Sequence, residues 1–142
     1  MTDECLLPDE IKSVMENGIP AIIVTCSADG VPNTTIISQV HYVDRTHIAL
    51  SFQFFNKTIR NVRENSHACV ALHDIMANIR WILHIQYEHS ETQGPIFEEM
   101  DMRIEAIASA SGMAGIFKLR AADIYQVNSY KKLSFTKSEA IE

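Results

Sequence analysis

Apolar and polar residues alternate with a period of two through most of the chain, and the spacing turns helical at three places. The first is Pro8 to Asn17, where Ile11, Val14 and Met15 share a face and Asn17-Gly18 marks the end. A β-branched run from Ala21 to Ser27 predicts a buried strand, and Asp29-Gly30 followed by Pro32 predicts a turn. Asn33 to Val43 predicts a second, long strand, Asp44-Arg45-Thr46 a turn, and Ile48 to Phe54 a third strand. Three strands joined by such short turns predict an antiparallel meander of consecutive neighbours. In the third strand, Leu50, Phe52 and Phe54 form an apolar face, and Ala49, Ser51 and Gln53 a small, polar one.

The pattern breaks at Phe55-Asn56. A short helix follows from about Lys57 to Glu64, anchored by Ile59 and Val62. His67 to Asp74 predicts another strand. Asn78 to Glu88 alternates, with Ile79, Trp81, Leu83, Ile85 and Tyr87 on one side and Arg80, His84, Gln86 and Glu88 on the other. Pro95 opens a longer helix with Ile96, Phe97, Met100, Ile104, Ile107 and Ala108 as its stripe, stopped by the small residues from Ser109 to Gly115. Ile116 to Leu119 and Ile124 to Val127 predict one or two last strands, and residues 129–142 a loose polar tail. Strands dominate and helices cover openings. This order suits a Greek-key-like barrel of about six strands with helical plugs better than a parallel sheet. One domain spans residues 1–142, with its core at about 8–128.

Composition narrows the function. The 142 residues are 46% hydrophobic and 21% charged, which supports one packed core and argues against general disorder. No apolar run approaches the ~20 residues of a membrane-spanning helix, and the acidic start Met1-Thr2-Asp3-Glu4 is unlike a signal peptide. A cytoplasmic protein is expected. Cys5, Cys26 and Cys69 are odd in number and lack C-x-x-C spacing, so neither a disulfide framework nor a zinc site is expected. Cys26 and Cys69, inside apolar runs, read as buried inert thiols. The six histidines show no metal-ligand pattern, and no metal is expected. A net charge of −6 makes nucleic acid an unexpected partner.

Against that acidic background, Lys57, Arg60 and Arg63 cluster on one short helix. Helix-start N–H groups attract anions, Asn56 is a good N-cap type, and Thr58 adds a hydroxyl. The group suits either a phosphate site or a solvated basic face. It is not a P-loop, because no G-x-x-x-x-G-K occurs.

The succession Ala21–Ser27, Asp29-Gly30-Val31-Pro32-Asn33, Ser38–Asp44, Ile48–Asn61 and Asn65–Leu72 resembles the pyridoxamine 5'-phosphate oxidase-like superfamily of FMN-binding split β-barrels. Gly94-Pro95-Ile96-Phe97-Glu98, Ile107–Met113, Phe117-Lys118-Leu119-Arg120 and Ile124-Tyr125-Gln126-Val127 resemble an uncharacterised bacterial subgroup of it. The resemblance covers about Ile19 to Val127 and lies in the order and spacing of these segments.

It implies a split barrel holding FMN at a homodimer interface and acting on a small molecule as a flavin-dependent oxidoreductase, with no catalytic residue identified. Its phosphate contacts would be Ser51 on the third strand and Lys57 at the helix opening, with Thr58 as an extra contact. Asn56 stands where true pyridoxamine phosphate oxidases carry arginine, and Arg60 would replace it in part. The flavin ring would lie against Ser38, Gln39 and Val40, with His41 beyond them able to reach the ring or a substrate. Residues 129–142 contain neither arginine nor histidine, unlike the substrate-binding pattern of genuine pyridoxamine phosphate oxidases. A flavin-sensing module without turnover, or a barrel holding deazaflavin or haem, are the alternatives. The implied dimer would bury more than ~2,000 Å², and Trp81, Leu83 and Ile85 are expected to contribute to its interface.

Overall fold

The computed structural model describes residues 5–16, 21–52, 56–112 and 118–134. Its elements are α1 (Ile11–Glu16), β1 (Ala21–Cys26), β2 (Pro32–Ile37), β3 (Val40–Tyr42), β4 (His47–Phe52), α2 (Asn56–Glu64), β5 (His67–Asp74), β6 (Ile79–Glu91), α3 (Pro95–Ala110) and β7 (Ala121–Ser134). All strand pairs are antiparallel, in the order β2-β1-β5-β6-β7-β4-β3. The sheet has seven strands rather than about six, because the long strand expected over Asn33–Val43 is two. β2 and β3 lie at opposite ends of this order, yet only Ser38 and Gln39 separate them in the chain. So short a link forces the sheet to curl until its two edges meet, and the result is a split barrel.

The interior is apolar. Ile23, Val70, Trp81, Leu83, Ile85 and Tyr125 are all buried there. Trp81, Leu83 and Ile85 are therefore core residues of one chain, and the expectation that they form a subunit interface is corrected. α1 plugs the end near Trp81 and Lys132 with Ile11, Val14 and Met15. α2 plugs the end near Thr25 and Asn33 with Ile59 and Val62. Burial of each such side chain contributes roughly 1.5–3 kcal/mol. α3 packs outside, where Met100, Ile104 and Leu119 cover Ala49, Ala122 and Ile124. Its opening is set by Gly94, whose φ of 99° suits glycine, immediately before Pro95.

Ile107, assigned to the apolar stripe of α3, is exposed instead. The tail expectation also changes. β7 pairs with β6 as far as Ser134, so residues 129–134 belong to the barrel wall. Cys26 and Cys69 are half-buried rather than buried, and Cys5 is half-buried too. The expected helix end at Asn17-Gly18, the positions Gln53, Phe54, Phe55, Ile116 and Phe117, and the rest of the tail lie outside the described residues.

The β3–β4 turn carries a charged clasp. The Oδ1 of Asp44 accepts from the Thr46 amide at 2.8 Å. His47 lies between Asp44 Oδ1 at 3.2 Å and Glu88 Oε1 at 2.7 Å. Burial works to lower the His47 pKa, but the hydrogen bonds and charges of Glu88 and Asp44 outweigh it, and the value is raised. A raised histidine adds stability fully below its unfolded pKa, and that stability fades as pH rises through the folded value. The melting temperature should therefore fall as pH rises above about 6.5, and His47→Gln should flatten that part of the profile. Parallel profiles for the two proteins would remove the clasp from the account.

Candidate functional site

α2 is positioned by two side-chain hydrogen bonds to the strands it caps. Asn61 Nδ2 donates to Thr25 Oγ1 at 3.1 Å, and Asn33 Nδ2 donates to Thr58 Oγ1 at 3.3 Å. Each such bond contributes about 1 kcal/mol. The same bonds correct one expectation: the Thr58 hydroxyl is buried and turned to β2, so it is not presented to solvent. Lys57 and Arg60 are exposed on α2, and neither has an ion-pair partner among the described residues. Asn56 opens the helix. Two free cations near a helix start leave a local positive potential on an acidic chain.

The barrel corner at the end of β4 holds the other expected residues. Val40 faces the core and is 3% exposed, which leaves only its backbone for a ligand. Ser51 and Gln39 face the opposite way, toward the side that α3 covers. The Ser51 amide donates to the Gln39 carbonyl at 3.3 Å, and its hydroxyl reaches the same oxygen at 3.5 Å. Ser51 is thus buried against the backbone of the β2–β3 link. Ser38 is half-buried at the bend itself. The Gln39 side chain is 3% exposed, and neither its Nε2 nor its Oε1 has a partner among the described residues. An unmatched buried amide costs free energy unless something pairs with it. The structure therefore groups Ser38, Gln39, Val40 and Ser51 at one corner and Asn56, Lys57, Thr58 and Arg60 on the helix that follows β4.

A second polar group lies inside the barrel, and no local sequence pattern announced it. Ser90 Oγ donates to Asp123 Oδ1 at 2.6 Å, and the Tyr87 hydroxyl lies 2.6 Å from Ser90 Oγ. Burial pushes the Asp123 carboxyl up, against the Ser90 hydrogen bond and the charge of Arg63 on α2. Tyr125 beside it is raised too, by burial and then by Asp123 and Tyr87.

A curled antiparallel barrel plugged at both ends by helices defines this molecule as a split-barrel protein. The chain belongs to the pyridoxamine 5'-phosphate oxidase family, whose model matches residues 7–128. Among curated protein sequences none matches significantly. An FMN-binding protein from Syntrophomonas wolfei subsp. wolfei shares the fold with a TM-score of 0.73 at 12% identity, over 89% of this chain and 85% of that one. An F420 reductase does so with a TM-score of 0.63 at 10% identity, over 88% and 98%. HutZ, a haem storage protein from Vibrio cholerae, does so with a TM-score of 0.56 at 13% identity, over 87% and 89%. At these identities the likeness is one of fold.

Proposed function

We propose that this protein binds FMN at the corner between β3, β4 and α2, and works as a cytoplasmic flavin-dependent oxidoreductase of small molecules. The observation that carries the reading is the buried, unpartnered carboxamide of Gln39. One donor and one acceptor left open at a strand edge match the alternating acceptors and donors on the pyrimidine edge of a flavin ring. A haem, whose ring edge is largely apolar, offers that amide little. Ser38 and Val40 would add backbone contacts. Lys57 and Arg60 would hold the phosphate, with the amides of the α2 start. Bound FMN would supply two-electron chemistry at its ring nitrogen. The residues here bind it and orient it.

A homodimer is part of the same reading. The outer face of β1 and β2 exposes Ile22, Val24 and Ile36, which one chain alone leaves in water. The first experiment is the absorption spectrum of the purified protein, followed by titration with FMN and anaerobic addition of NADH or NADPH. A bound flavin spectrum that bleaches with a pyridine nucleotide is the expected result. A Soret band, or a failure of FMN to saturate the protein, overturns the assignment. Flavin that binds but is reduced by neither donor favours a sensing module instead.

A further inference from the structure

A cavity of about 270 Å³ lies between α1, β3 and α3, at the end of the barrel away from α2. Pockets for drug-sized ligands usually start near 300 Å³, so this one suits something smaller than a flavin or a haem. Its polar lining comes from three elements: Lys12 and Glu16 on α1, His41 on β3, and Glu99 and Arg103 on α3. Burial lowers the His41 pKa, the Glu99 charge raises it and the Arg103 charge lowers it again, and the outcome is a lowered value. The imidazole is therefore neutral at neutral pH, and two cations face two carboxylates. Apolar walls come from Met15, Val43 and Ile96.

The existing pairs are loose. Glu99 stands 3.7 Å from His41 Nε2 and 3.3 Å from Arg103, and Lys12 stands 3.7 Å from Asp9. Exposed pairs of this kind contribute little and exchange readily for a ligand. His41, by contrast, is 6% exposed, and its Nδ1 has no partner among the described residues.

We propose that this cavity is a second ligand site and takes a small zwitterion of amino-acid size. The ammonium of the ligand pairs with Glu99 and Glu16, and its carboxylate with Arg103 and Lys12. The balanced lining selects a ligand with both charges over one with either alone, because a single charge leaves an opposing pair unmatched. The apolar walls favour an aliphatic side chain.

The test is calorimetric titration of the full chain with L-leucine, 4-methylpentanoate and 3-methylbutylamine. Leucine should bind saturably, and each analogue, lacking one charge, at least about tenfold more weakly. Arg103→Gln and Glu99→Gln, both at the rim of the cavity, should both weaken leucine binding by a similar factor while the thermal melt is kept. FMN binding is followed separately by flavin fluorescence, so either site can fail without the other. No saturable heat from leucine overturns the proposal. So does binding of either analogue as tightly as leucine, or leucine binding that neither substitution weakens.

Discussion

Lys57→Ala should weaken FMN binding by about ten- to a hundredfold and leave riboflavin binding nearly unchanged. Charge-assisted hydrogen bonds to a phosphate contribute roughly 1.5–3 kcal/mol each, and 1.4 kcal/mol is one decade in affinity. Lys57 is exposed and has no ion-pair partner among the described residues, so its removal breaks no ion pair there. Alanine is also the best helix former, and α2 keeps its own anchors, Ile59, Val62 and the Asn61–Thr25 bond. Loss of fold is thereby separated from loss of phosphate binding. Riboflavin lacks the phosphate, and it should bind the wild-type protein weakly and ignore the substitution. The comparison is read by fluorescence quenching of the two flavins. Equal losses for both, or none for either, would remove Lys57 from the phosphate site. Arg60→Ala in the Lys57→Ala background should weaken FMN further, since Arg60 is another exposed cation on that helix, one turn from Lys57, without an ion-pair partner among the described residues.

How much of this was legible in the sequence depends on which force fixed each feature. The strands β1, β4 and β5 and the three helices follow side-chain periodicity, and the sequence pattern placed them within a few residues. The bend at Ser38–Gln39 is different. Ile37 and Val40 both face the core although three residues apart, an odd spacing that an unbroken strand cannot accommodate. That parity slip was the readable sign of two strands, hidden by the β-branched run Thr34–Ile37 before it and Val40 and Val43 after it. The end of β7 had no such sign. Lys131, Lys132 and Ser134 are exposed, although Lys132 and Ser134 stand opposite Trp81 and Ile79 at the barrel end, and backbone pairing with β6 makes them a strand. Backbone pairing leaves no trace in hydropathy. The same holds for Asp123 and Ser90, 33 positions apart, which meet only because of the β6–β7 register. At the candidate site, residue types were legible and directions were not. Gln39 was placed on the flavin strand from resemblance, but its unpaired amide and the inward turn of Thr58 are products of the packed barrel.

Ile22→Lys combined with Ile36→Lys should convert the protein from dimer to monomer without unfolding it. The two isoleucines sit opposite each other on β1 and β2, at 44% and 64% exposure, with Val24 beside them at 37%. Half-buried Ala71 and Ile82 continue the same outer face across β5 and β6. None of these side chains reaches the barrel core, so lysine at positions 22 and 36 costs the single chain little. At the centre of an apolar interface the two charges would be buried unpaired, a penalty of several kcal/mol each that an obligate dimer cannot absorb. Light scattering should give the mass of two chains for the wild type and of one for the variant, with the melting transition retained in both. A wild-type monomer at micromolar concentration would end the dimer proposal, and a variant that stays dimeric would move the interface to another face. The flavin supplies the second readout. If two chains share the site, the monomeric variant should lose FMN binding as well, although Gln39, Lys57 and Arg60 are all intact. Undiminished FMN binding by a true monomer would instead mean that the corner between β3, β4 and α2 holds the cofactor within a single chain.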